Sequence, residues 1–267
     1  MTWARSGVGA IATQSISEIS YGPLGLDLMA GGRSATEALD SLLKSDVRAE
    51  TRQVAMVDSH GNVSCHTGKR CIDYAGHIIG DQFSCQANLM SNDTIWGEMD
   101  KAFRQNSPLE LPERLLAALD AAEAAGGDIR GKQSTALLVV SSKLYANPWA
   151  GRIMELRVED SSEPLPELRR ILRLKRAYEW ADKGDDFLAA GKMEDSRMAF
   201  KKAQEYAPES DEIRYWMGVT LLGSGQDNEG KAILKEIFAK NKNWISVTRS
   251  LVQKDYLPKD SPVLDLL

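Results

Sequence analysis

Residues 180–208 read WADKGDDFLAAGKMEDSRMAFKKAQEYAP, and residues 214–242, 34 positions on, read RYWMGVTLLGSGQDNEGKAILKEIFAKNK. Laid over each other, Gly184 meets Gly218, Phe187 meets Leu221, Gly191 meets Gly225, Phe200 meets Leu234 and Ala203 meets Ile237. A fixed period of this length marks a repeated supersecondary unit. Small residues at 184 and 218 let one helix approach the next closely. Gly191 and Gly225 fall where the chain must turn, in a backbone conformation that suits glycine. Pro208 ends the second helix of the first copy. The second copy is looser at its ends: Trp180 meets Arg214, with Trp216 nearby, and Pro208 meets Lys242.

The pattern resembles the tetratricopeptide repeat, over residues 177–242. A helical hairpin of this kind leaves an apolar face that only a neighbour covers. Residues 244–252 read as a capping helix, and residues 165–174 (LPELRRILRL) as a cover for the other end or a bridge to what precedes. The tail from Asp255, with Pro258 and Pro262, is expected to be extended. The resemblance implies a protein or peptide partner in a concave groove. A packing or homo-oligomerisation appendage is the other use of such a pair, and both stay open.

The chain has 267 residues, 43% hydrophobic and 27% charged, which suffices for two ordinary domains with their own cores. A net charge of -5 predicts no general attraction to nucleic acid. The densest basic cluster, Arg169, Arg170, Arg173, Lys175 and Arg176, would spread around a helix as a solvated face. No stretch has the apolar length of a membrane span, and residues 1–15 lack the core of a signal peptide, so a cytoplasmic location is expected. Cys65, Cys71 and Cys85 form no disulfide framework. A zinc site from His66, Cys71, His77 and Cys85 can be drawn, but free cysteines in strand-like segments read better as small buried hydrophobes. No cofactor is expected.

The N-terminal half alternates strand and helix signals. Residues 7–15 (GVGAIATQS) read as a strand. A turn at Tyr21-Gly22-Pro23 leads into a short helix over residues 24–29. Ser34 and Glu37 make a capping-box pattern before a helix through Leu42 and Leu43. Residues 53–58 and 63–67 read as a hairpin about His60-Gly61-Asn62. Strands are expected over residues 75–79 and 83–87, helices over 92–104 and 111–125, and strands over 134–141 and 152–158. That order is a layered sheet with helices packed on it.

The blocks GVGAIATQ, SYGPLGLDLMAGG, RQVAMVD, HTGKRCIDYAGHIIGDQFSCQANLM, GGDIRGKQSTALLVV and GRIMELRVED resemble, in order over residues 3–172, a bacterial family known as domain of unknown function 1028. That family is similar to the N-terminal-nucleophile (Ntn) hydrolases. The resemblance therefore implies an α+β, four-layer αββα sandwich, followed here by an all-α tetratricopeptide-like region. The expected domains are residues 1–165 and 166–267. In the superfamily the first residue of the mature chain, Thr, Ser or Cys, supplies nucleophile and base together, and the substrate is an amide. The family has two strands before the block equivalent to Trp3-Ala4-Arg5, so the nucleophile-bearing strand is expected to be missing here. Thr2 would become terminal on removal of Met1, yet it aligns with a later region of the family.

The candidate catalytic residues are Thr2, Asn88, Asp128, Arg130 and Ser134. Asn88 is a candidate oxyanion donor or a partner for buried backbone. Arg130 is a candidate carboxylate fork; an Asp128–Arg130 contact in a structural loop is the competing reading. No G-x-S-x-G elbow, dinucleotide fingerprint or P-loop occurs. Two functions follow: an Ntn-type amide hydrolase of unread substrate, inactive if its nucleophile strand is absent, or a non-catalytic module that binds protein or joins subunits through the repeats.

Overall fold

The computed structural model describes residues 1–223 and 227–267. The chain divides into two compact units, Met1–Arg169 and Arg170–Leu267.

The first unit is mixed α+β. Strands β1 (Thr2–Arg5), β2 (Gly9–Ser15), β3 (Arg52–Asp58) and β4 (Val63–Thr67) form an antiparallel sheet in sequence order. The strand expected over residues 7–15 starts at Gly9, and β1 precedes it as a strand the sequence did not signal. Gly7, at φ 68°, turns the chain between β1 and β2. Side chains alternate across this sheet. Trp3, Ile11, Val54 and Met56 face helices α1 (Tyr21–Ala30) and α2 (Ala35–Ser45), forming one core with Tyr21, Leu26 and Leu39. Helix α1 begins three residues earlier than the turn signal at Pro23 predicts, since proline is tolerated in a first turn. Gly25 of α1 lies so close to the sheet that a Cβ there would meet Ile11 at 2.6 Å. The Ser34–Glu37 capping box forms at the start of α2, with Glu37 Oε2 accepting from Ser34 N–H at 2.9 Å.

The opposite face of the sheet carries two hairpins, β5 (Gly76–Gly80) with β6 (Phe83–Ala87), and β7 (Thr135–Val140) with β8 (Arg152–Val158). Beyond them lie helices α3 (Ile95–Gln105) and α4 (Leu111–Ala124). Phe83 of β6 packs on Phe103 of α3, ring centroids 4.5 Å apart, and the Arg114 guanidinium covers Phe103.

Helix α5 (Pro164–Ala189) leads from the first unit into the second. The segment 165–174 is its first part rather than a separate cap. The second unit continues with α6 (Met193–Tyr206), α7 (Asp211–Gly223), α8 (Asp227–Lys240) and α9 (Asn243–Gln253). The 34-residue equivalence is physical. A Cβ on Gly184 would meet the Phe200 ring at 2.7 Å, and one on Gly218 would meet Leu234 at 2.8 Å. Phe200, Ala203, Leu234 and Ile237 are all buried. Gly191 turns at φ 72°; Gly225 lies outside the described residues. The tail departs from its expected extended form. Residues Pro262–Leu266 make a 3-10 turn that buries Val263 against α7 and α8.

Candidate functional site

The site is built on a cross-strand pair of glutamines. Gln14 of β2 and Gln53 of β3 are register partners on the face turned toward the hairpins. Gln14 Nε2 donates to Gln53 Oε1 at 2.6 Å, and Asn88 Nδ2 donates to the same oxygen at 3.0 Å. Gln53 is wholly buried, and its own Nε2 reaches Thr67 Oγ1, Gly76 O and Ala87 O at 2.9–3.0 Å. A buried amide is tolerated only when its donors and acceptors are met in this way. The Thr67 hydroxyl also lies 2.8 Å from His77 Nδ1, in a bond whose donor depends on the His77 tautomer. Burial, and next the nearby His66, hold the His77 pKa below its ordinary value.

Gln14 and Asn88 stand in the wall of a cavity of about 870 Å³. Asp128, Arg130, Gln133 and Ser134 line it from the other side. The loop that carries them is zipped to the segment after β6: Ile129 N–H donates to Leu89 O and Ser91 N–H to Gly127 O. Asp128 is held below the usual carboxylate range, chiefly by its bond to Arg130 at 2.6 Å. Two non-glycine residues of the wall, Ser15 (φ 68°) and Leu89 (φ 61°), adopt left-handed backbone, a conformation that collects at functional sites. The rim at Ile16 is pinned from behind. Arg52 Nη1 donates to Ile16 O at 2.6 Å, and its Nε pairs with Asp46 at 2.7 Å, both side chains largely buried.

Four of the five candidate residues, Asn88, Asp128, Arg130 and Ser134, therefore meet in one cavity. Thr2 does not. It lines a second, apolar cavity of about 420 Å³, and the Met1 amine beside it donates to Thr13 O at 2.9 Å. Gln14 and Gln53 escaped the sequence reading, because a glutamine in a strand looks like an outward-facing residue until its partners are known. The ATQ run of β2 was the only signal. His66 Nε2 is engaged with Ala49 O and His77 with Thr67. Among the described residues no group of three or more His, Cys, Asp or Glu is placed to hold a metal ion. Burial pushes the Cys85 thiol up to about 12, so it stays protonated.

A model of a family of unknown function, DUF1028, matches residues 1–168. The chain belongs to this family. The blocks that carry the DUF1028 resemblance include the ATQ of β2, the QANLM that ends β6 and follows it, and the GGDIRGKQS loop, and residues of all three line the polar cavity. A tetratricopeptide repeat model matches residues 187–254. Among solved structures, the crystal structure of protein SPO2555 from Silicibacter pomeroyi, also of DUF1028, is similar, with 27% identity and a TM-score of 0.55. The match covers 62% of this chain and 70% of that one. No curated protein matches. No helix among the described residues is long and apolar enough to cross a membrane.

Proposed function

We propose that this chain is a binding protein, whose polar cavity takes an amide-bearing ligand and whose helical repeats take a protein partner. The observation that supports it is the convergence of carboxamides. Gln14, Gln86, Asn88 and Gln133 all line the cavity; Gln14, Gln86 and Asn88 each spend an N–H inside the chain, on Gln53 Oε1 or Ala12 O, and the remaining amide groups are matched to a ligand amide. The lining hydroxyls belong to Ser15, Ser17, Ser134 and Thr135. Among the described residues none of these side chains is hydrogen-bonded to a histidine, lysine or carboxylate, so none is activated as a nucleophile. Capture of the ligand is favoured over its turnover. The partner reading for the second unit follows the common use of tetratricopeptide repeats; joining of subunits is its alternative.

The test is a thermal-shift screen of capped dipeptide amides against the chain and against Asn88→Ala. Binders should raise the unfolding temperature of the parent and lose that effect in the variant. If no amide stabilises the parent, or the variant responds equally, amide recognition at Asn88 is wrong.

Amide hydrolysis of the Ntn type is the second reading. It rests on the stacking of helices, sheet, hairpins and helices, which we read as the αββα order, and on the placing of Asn88 and Gln14 where they could donate to an oxyanion. Amine release from any amide found in the screen, abolished by Asn88→Ala, would replace the binding reading with this one.

A further inference from the structure

Helix α7 is buried on two faces that serve different neighbours. Ile213, Met217 and Leu221 pack into one cluster with Phe200 and Ala203 of α6. Tyr215, Val219 and Leu222 make a second row, spaced as one helix face, that joins Leu234, Ile237 and Phe238 of α8. Helix α9 takes the Tyr215 end of this row: the Trp244 ring stacks on Tyr215 at 4.6 Å, and Thr248 Oγ1 lies 2.9 Å from the Tyr215 hydroxyl. Further cover comes from the chain beyond α9. The turn Pro262–Leu266 lies on α7 and α8, and its Val263 is wholly buried in the same cluster.

No main-chain pairing ties that cover down. The exit from α9 is fixed, since the Tyr256 and Leu257 N–H groups both donate to Leu251 O, and Asp255 turns there at φ 59°. Past Leu257, among the described residues, every backbone hydrogen bond of the segment stays within it, Ser261 N–H to Pro258 O and Leu264 N–H to Ser261 O included. Pro258, Lys259 and Asp260 are exposed. Two polar contacts reach the helices, Lys231 with Asp265 at 3.6 Å and Arg249 Nη2 with Leu267 O at 3.2 Å, and Asp265 is largely in water. One apolar knob on an exposed connector is the anchoring of a docked peptide. The segment can leave its seat without breaking a main-chain bond to the helices.

We infer that residues 262–266 are a resident ligand of this groove, and that the groove takes a segment of the same chemistry from a partner protein. That segment is a proline-led turn, with a Val or Leu knob for the place of Val263 and a carboxylate two residues on for Lys231. The chain's own turn competes for the seat. A partner therefore meets the groove only in the open fraction of molecules, and its apparent affinity falls by that fraction. This names the partner chemistry and the regulation of the repeat site, and it rests on the reading that the repeats take a protein partner.

The probe is the fluorescent peptide Lys-Asp-Ser-Pro-Val-Leu-Asp-Leu-Leu, residues 259–267, capped at both ends. It is titrated into the parent chain and into Val263→Asp, which sets a charge in the apolar seat and frees the groove. The variant should bind saturably, and the parent about ten-fold more weakly or worse. A control peptide with Asp in place of its valine should bind neither. If Val263→Asp does not fold, Val263→Ala is read the same way, with a smaller gain over the parent. The inference is overturned if the folded variant fails to bind, if parent and variant bind alike, or if both variants lose the cooperative unfolding of the helical unit, which would make Val263 part of its core. A parent dimer in sedimentation that Val263→Asp dissolves would give the seat to a second copy and overturn the partner. A protein that binds parent and variant equally would keep the partner reading and remove this groove as its site.

Discussion

Gln14 and Gln53 face each other across the β2–β3 ladder, and the 2.6 Å bond between their side chains joins the interior of the first unit to the wall of its polar cavity. Gln53 is the hub of that bond network, since its amide also meets Asn88, Thr67 and two backbone carbonyls. A polar hub in a dry layer is stabilising only when complete.

Gln53→Leu keeps the volume and removes every one of those bonds. The Asn88, Gln14 and Thr67 side chains would then be short of partners, at about 1–3 kcal/mol for each group left unmet. The expected loss is about 3 kcal/mol in urea unfolding, with a large fall in ligand-induced stabilisation. A loss within about 0.5 kcal/mol, typical of an uninvolved surface site, would show that the network bears little of the structure.

His77 gives a pH signature. Its folded pKa is lowered, so the unfolded chain binds this proton more readily than the folded one. The contribution to stability is full above the unfolded value of about 6.5 and declines as pH falls toward the folded value. Stability of the parent should therefore drop on acidification through that window. Replacement with His77→Gln should flatten the slope. An imidazole titration by NMR at or above 6.5 would refute the assignment.

The Arg52–Asp46 pair is nearly sealed from water, and Asp46 is held below the ordinary carboxylate range chiefly by the Arg52 bond. Removing Asp46 takes the nearest counter-charge from Arg52 and leaves it Glu18 at 3.8 Å and the Ile16 carbonyl. Asp46→Ala is expected to cost about 3–5 kcal/mol and to loosen the rim at Ile16, read as faster exchange there. Because the folded pKa is depressed, the pair stabilises above about pH 4 and its contribution fades as pH falls below. Asp46→Asn should therefore show a shallower acid dependence than the parent.

Two helical glycines should respond in opposite directions. Gly184 has the buried Phe200 ring 2.7 Å from the place a Cβ would take, whereas Gly97 of α3 has nothing within 4 Å. Gly184→Ala should destabilise the helical unit by about 1–3 kcal/mol through overpacking. Gly97→Ala should stabilise by about 0.5–1 kcal/mol through helix propensity. Equal effects in thermal unfolding would contradict the close packing at Gly184.

Local signals were legible in the sequence and long-range ones were not. The bounds of β4 and β8, the Ser34 cap and the spacing of Gly184 to Gly218 depend on neighbours in the chain, and each appears where its pattern puts it. The cavity was half legible. Asn88, Asp128, Arg130 and Ser134 could be picked out as polar residues beside turns, but their meeting depends on the loop after α4 reaching the segment after β6. Gln53 was hidden because its burial is imposed from residues 76, 87 and 88. The tail misled for the same reason: its prolines are local, while the surface that covers Val263 comes from α7 and α8.

Ser15 and Leu89 hold left-handed backbone in the lining of the cavity, and each is fixed by its surroundings: β2 ends at Ser15, and Leu89 is bonded to Ile72 and Ile129. Such conformations are retained by folding itself rather than by any guest. An incoming molecule thus encounters walls whose curvature is already set, and its affinity is spared the entropy of shaping them. Association at this site should accordingly be governed by entry and desolvation, with the backbone of residues 15 and 89 alike in the empty and filled states.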